Sequence, residues 1–147
     1  MEHHELPVDP DATEADGVPG VLLAVAVGGA LGAGARWGVS ELVPAAGGFP
    51  WPTLLVNVSG SLLLGVLMVL VVDVYETHHL VRPFLGVGVL GGFTTFSTYA
   101  LETRDLLALG EYALAAAYLV GSVVACLLAV GLALTGTRRL LDLGVRA

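Results

Sequence analysis

Four stretches without a charged residue divide the chain, at 17–35, 42–72, 83–101 and 112–137. A bilayer-spanning helix needs about 20 predominantly apolar residues, and each stretch is long enough. Pro44, Pro50 and Pro52 trim the second, because a helix interior resists proline, so its helix is expected to begin near Thr53. The pattern predicts helices over 20–38, 53–73, 83–107 and 111–135. Residues 1–16 are polar, carry Pro7 and Pro10, and are expected to form a disordered acidic tail. Residues 17–137 then make a four-helix transmembrane domain and 138–147 a short C-terminal tail. The segment 20–38 has the apolar character of a secretory signal, but acids rather than basic residues precede it, which argues against cleavage.

Composition strengthens the membrane reading. Hydrophobic residues make up 56% of the 147 and charged residues 13%, whereas a soluble domain carries about 25% charged residues. The formal net charge of -7 is concentrated at Glu2, Glu5, Asp9, Asp11, Glu14 and Asp16. The rest of the chain is close to neutral and has no basic stripe, so a nucleic-acid partner is not expected. Cys126 is the single cysteine, which excludes an intramolecular disulfide and a cysteine metal cluster. His3 and His4 read as part of a solvated tail.

Four spans place both termini on one side of the bilayer. That side collects Arg82, Arg138, Arg139 and Arg146, against Arg36 and Arg104 on the other. So weak a positive-inside bias specifies orientation poorly, and insertion both ways round is conceivable. Small residues recur at close-packing intervals, Gly28 with Gly32, Gly34 with Gly38, Ser61 with Gly65, and Gly88 with Gly92. An oligomer is expected.

The third stretch carries the densest polar pattern. Gly91-Gly92 falls at mid-membrane depth and is followed by Thr94, Thr95, Ser97 and Thr98. Each glycine costs about 1 kcal/mol in a helix interior, so a helix break is expected here. A break would free backbone carbonyls suited to a hard cation, and N–H groups whose positive helix end favours an anion. The bland alternative is a packing face whose hydroxyls bond back to the preceding turn. Asn57, in an otherwise apolar span, must point inward and reads equally as interhelical glue or as a ligand. Tyr118, Ser122 and Cys126 share one face of the fourth helix, as packing or as pathway. Glu102 lies four residues after Thr98, and an acid at that depth marks function or a satisfied interior hydrogen bond. Arg36, beside Trp37, is an interfacial anchor or the positive mouth of a vestibule.

Several of these residues stand in a recognisable order: Gly28-Gly29 through Arg36; Phe49-Pro50-Trp51 with Thr53; Asn57-Val58-Ser59-Gly60; the run Gly91-Gly92-Phe93-Thr94-Thr95-Phe96-Ser97-Thr98; then Tyr118 and Ser122. Over about residues 25 to 135 the chain resembles the CrcB/Fluc family of bacterial fluoride channels. The resemblance implies four helices with a broken third, an antiparallel dual-topology dimer in the cell membrane, two fluoride pathways and a central structural sodium ion. It implies that the partner subunit is an identical chain or a paired homologous one. On the matching positions, Gly91 and Thr94 would offer backbone carbonyls to sodium. Asn57, Phe96, Ser97, Thr98, Tyr99, Tyr118 and Ser122 would line the fluoride pathway, with Arg36 at its vestibule. Two positions depart from the family pattern: Tyr99 replaces a phenylalanine, and Cys126 stands where a hydroxyl residue is usual. The added Tyr99 hydroxyl is expected either to donate to an anion or to narrow the path.

These residue types suit fluoride, because amide, hydroxyl and ring-edge donors can replace its water shell without fixed positive charge. The competing reading is a proton-coupled four-helix exporter of the small multidrug type. Such a protein carries an acid in its first span, and none lies between Gly17 and Ala35, which leaves Glu102 as the candidate proton carrier. No nucleotide-binding loop, nucleophile–base pair or metal triad is visible, so neither a pump nor an enzyme is expected.

Overall fold

The computed structural model describes residues 18–43, 47–71 and 79–145, so the expected acidic tail lies outside the described residues. The elements are α1 (Val18–Leu42), α2 (Trp51–Val69), a π-wound stretch (Arg82–Leu90) running into the single turn α3 (Gly91–Phe93), α4 (Phe96–Ala108) and α5 (Tyr112–Val145). Among the described residues there is no strand, and four segments are long and apolar enough to cross a membrane: Val18–Leu42, Trp51–Val69, Arg82–Ala108 and Tyr112–Leu141.

α1 runs to Leu42 rather than to residue 38, and two other helix ends depart from the sequence expectation for a local reason. α2 starts at Trp51, ahead of Pro52, because a first-turn N–H has no intrahelical acceptor and proline loses nothing there. α5 runs on to Val145, since no proline interrupts it and its late glycines, Gly136 and Gly144, cost only about 1 kcal/mol each. The segment 138–147 is therefore helical through Val145.

Backbone contact decides how α1 meets the third span. A Cβ on Gly28 would stand 2.5 Å from the Phe84 carbonyl oxygen and 3.0 Å from Gly88 Cα. One on Gly32 would overlap the Val89 carbonyl, and one on Gly92 the Gly29 carbonyl. The two backbones touch only because these positions lack side chains. Gly65 plays the same part between α2 and α5, where a Cβ would come 2.7 Å from Ala133 Cβ. Gly34 and Gly38 have nothing within 4 Å. They lie roughly 200–240° around α1 from Gly32, away from that contact.

At one end of the bundle Tyr99, Leu106, Ala115 and Tyr118 form a buried cluster, covered by Phe49, Leu54 and Leu114. The turn from α4 to α5 brings these residues together. Gly110 adopts φ +79°, and the Glu111 N–H returns to the Leu106 carbonyl at 2.9 Å, closing the end of α4. Elsewhere large apolar side chains face outward, among them Leu22, Leu23, Leu127 and Leu132. That distribution suits a chain whose surroundings are hydrocarbon.

Gly32→Ala is expected to destabilise the fold by about 1–3 kcal/mol through overpacking against Val89. Gly34→Ala, with open space at its Cβ, should leave stability unchanged or slightly raised. Thermal unfolding of the two variants in detergent checks the pair, and equal midpoints would contradict the assigned α1 contact.

Candidate functional site

Gly91, expected to open the third span, is helical at φ -65°, ψ -36°. The extended residues come next to one another further on, at Thr94 (φ -75°, ψ 159°) and Thr95 (φ -148°, ψ 121°). The displacement has a local cause. Gly92 is held in register by its backbone contact with Gly29, so the helix packs there rather than unwinding. Thr95, by contrast, is offered other partners for every polar group it has.

Asn57 on α2 supplies two of them. Its Oδ1 accepts the Thr95 N–H at 2.8 Å, and its Nδ2 donates to the Thr95 carbonyl at 2.9 Å. The side-chain amide pairs with the extended residue as a neighbouring strand would. The Thr95 hydroxyl caps α4 by accepting the Thr98 N–H at 3.1 Å and donates to Thr98 Oγ1 at 2.9 Å. Two carbonyls change status as a result. A continuous helix would return the Thr95 N–H to the Gly91 carbonyl and the Thr98 N–H to the Thr94 carbonyl. Both N–H groups are engaged elsewhere.

A second polar knot lies nearer the end of the bundle. Glu102 on α4 accepts from Thr53 Oγ1 at 2.8 Å and from the Tyr118 hydroxyl at 2.6 Å, tying α2, α4 and α5. Tyr118 is fully buried. The Tyr99 hydroxyl donates to the Leu119 carbonyl at 2.7 Å, so it neither points at an anion nor narrows a passage. Five rings form a continuous run from the bundle end inward. Their centroids are separated by 4.6 Å (Trp51–Phe49), 5.4 Å (Phe49–Tyr118), 5.3 Å (Tyr118–Tyr99) and 5.7 Å (Tyr99–Phe96).

Two cavities flank the Asn57–Thr95 pair, and Thr95 lines both. The larger, about 430 Å³, gathers Asn57, Gly91, Thr94, Phe96, Tyr99 and Ser122 from the expected set. The Ser122 hydroxyl, on a residue only 4% exposed, finds no hydrogen-bond partner among the described residues. The smaller, about 190 Å³, brings Arg36 and Ser40 of α1 to Thr53, Val56, Thr95 and Thr98. Ser97 is exposed and lines neither cavity, its hydroxyl 3.3 Å from that of Thr95, and Tyr118 lines neither because Glu102 engages it inside the bundle. Phe96 is 79% exposed despite its place within a span.

Thr95, Thr53 and Glu102 carry more of this arrangement than the expected site set allowed. Thr95 had a legible signal, a hydroxyl residue at the start of a helix with Thr98 three positions on. The partnership of Glu102 with Thr53 and Tyr118 spans three helices and leaves no mark in residue spacing.

Residues 23–134 match the family model described as "CrcB-like protein, Camphor Resistance (CrcB)". The chain belongs to the CrcB/Fluc family. A "Fluoride-specific ion channel FluC 2" of Nocardia farcinica is 52% identical over 122 residues, covering 82% of this chain and 86% of that protein. A "Fluoride-specific ion channel FluC 1" of Streptomyces coelicolor is 51% identical over 122 residues, 82% of this chain and 79% of its own. A "Fluoride-specific ion channel FluC" of Paracoccus denitrificans is 49% identical, across 81% of this chain and 95% of its own. With four membrane-spanning segments, this CrcB/Fluc member is a multi-pass membrane protein.

Asn57→Ala is expected to cost about 2–4 kcal/mol, because it strands the N–H and carbonyl of Thr95 together. Asn57→Asp keeps the acceptor but sets a carboxylate oxygen against the Thr95 carbonyl at membrane depth, so it should cost at least as much as Asn57→Ala in the same detergent unfolding measurement. The reverse order would show that the amide is not a two-point clamp.

Tyr99→Phe removes the tie to Leu119 and should cost about 0.5–1.5 kcal/mol while leaving the ring in place. An unchanged unfolding midpoint would dismiss that tie.

Proposed function

We propose that this chain is a passive fluoride-selective channel that lets fluoride leave the cell across the cell membrane. One observation carries the reading: a single cavity gathers Asn57, Phe96, Tyr99 and Ser122, and no charged side chain lines it. Asn57 spends one amide hydrogen on Thr95 and keeps the other. Ser122 has a free hydroxyl. The ring edges of Phe96 and Tyr99 are electropositive. Together they offer weak, successive contacts to a small anion, which conduction requires, since tight binding at one place would hold the ion. Arg36 brings a positive charge to the smaller cavity behind the Asn57–Thr95 pair. A membrane potential of about 100 mV, inside negative, is worth roughly 2.3 kcal/mol per charge and drives fluoride outward without further machinery. The printed names of the relatives support the same ion.

The proposal includes an antiparallel dimer, with an identical chain or a paired homologous subunit, built on the exposed Phe96 face. It also includes a structural sodium ion between subunits. The residues fit that group: the carbonyls of Gly91 and Thr94 have lost their helical donors, and carbonyl oxygens suit a hard cation. When bound, sodium would hold the two Thr94 regions together. The Asn57–Thr95 pairing keeps each region extended. Dimer stability in detergent should rise with added sodium but not with an equal concentration of N-methylglucamine. Identical stability in both would remove sodium from the proposal.

The proton-coupled exporter would have to use Glu102, whose two oxygens already accept hydrogen bonds from Thr53 and Tyr118. Liposomes carrying this chain alone should release fluoride under a potassium-valinomycin potential with no pH gradient. Phe96→Ile should lose most of that flux while still forming dimers. Release that appears only with a pH gradient would favour the exporter, and undiminished flux in Phe96→Ile would take the ring out of the pathway.

A further inference from the structure

The same cavity holds a group that the fluoride reading leaves unused. Cys126 lines it, one helical turn beyond Ser122 on the same face of α5, and its residue is half-buried rather than sealed in the bundle. Ser122 lines that cavity too, and its hydroxyl is buried without a hydrogen-bond partner among the described residues. A buried hydroxyl with no protein partner is satisfied by water or an ion, and a cavity of about 430 Å³ has room for either. Water that reaches Ser122 comes within about 5–6 Å, one helical pitch, of Cys126. A thiol at the wall of a wet cavity can lose its proton and react, whereas one sealed in an apolar core is inert.

We propose that Cys126 is a covalent modification site for small, water-borne thiol-reactive electrophiles, and that an anionic adduct there shuts the cavity to anions. The closing half rests on the fluoride reading above; the reactivity half does not. A suitable probe is 2-sulfonatoethyl methanethiosulfonate, whose charge keeps it out of lipid. The Cys126 sulfur bonds to the sulfenyl sulfur of the reagent as the reagent's own S–S bond breaks. Methanesulfinate leaves and the thiol proton passes to water. The thiol is oxidised to a disulfide and the sulfonyl group reduced to sulfinate, so atoms and electrons balance. The product fixes a negative sulfonate one turn from Ser122. Like charge at that distance should slow anion passage roughly tenfold to a hundredfold.

The experiment uses the full chain reconstituted in liposomes. Intact mass and fluoride release are measured before reagent, after reagent, and after dithiothreitol. The expected result is one adduct per folded chain, a fall in release, and recovery of both on reduction. Cys126→Ser should gain no mass and show no response to the reagent. Labelling in denaturant but not in the folded protein would overturn the site. A full adduct with unchanged release from a conducting channel would overturn the closing role. If the untreated chain releases no fluoride, the channel reading fails instead, and the mass measurement still decides whether Cys126 is reached from water.

Discussion

A backbone N–H or carbonyl inside a bilayer must find a partner within the protein, because hydrocarbon offers none. That rule makes the Asn57–Thr95 pairing the contact on which the rest of the site depends. Two extended residues at membrane depth would strand polar groups worth several kcal/mol. One side-chain amide on α2 takes both polar groups of Thr95, and the Thr95 hydroxyl takes the Thr98 N–H. The helix can then stop and restart within a span. The carbonyls of Gly91 and Thr94 lose their helical donors as a direct consequence.

The surrounding architecture keeps that short segment in place from two sides. α1 presses on the first half of the third span through glycine contacts that admit no side chain, which fixes the backbone up to Gly92. On the other side Glu102 draws Thr53 and Tyr118 together, and Tyr99 is tied to the backbone of α5. The interruption falls between these two rigid attachments. It also divides the interior, with the guanidinium and hydroxyls of the smaller cavity on one side and the ring-edged, charge-free cavity on the other. The Arg36 charge thus stays on one side of the Asn57–Thr95 pair, and no charged side chain lines the cavity on the other. That order suits attraction followed by weak, multiple contact with an anion.

Polar partners inside the bundle matter as much for what they remove. The hydroxyls of Tyr99 and Tyr118 would each have been available donors on the fourth-span side, and both are engaged within the bundle. Ser122 keeps its hydroxyl open. Phe96, at the end of a run of five rings, is pushed outward rather than folded into the core. The chain therefore ends its aromatic run in an exposed ring at membrane depth.

Hydropathy by itself determined that there are four spans, because the length of an apolar run is a local property and the bilayer sets its threshold. Residue order likewise marked Asn57, the Gly91–Thr98 run and Ser122, since uncompensated polar groups stand out in apolar sequence. The location of the interruption was another matter. Gly91-Gly92 carries the stronger local tendency to unwind, yet Gly92 is packed against α1, and Thr94–Thr95 opens because Asn57 lies 38 positions away in sequence and within hydrogen-bond reach in space. The fate of each hydroxyl was equally invisible: Tyr99 meets Leu119 and Tyr118 meets Glu102 only once α4 and α5 lie together. Helix formation follows from bonds four residues apart, which sequence records. The choice between a helical bond and a side-chain partner follows from which helix lies alongside, and only the tertiary structure decides that.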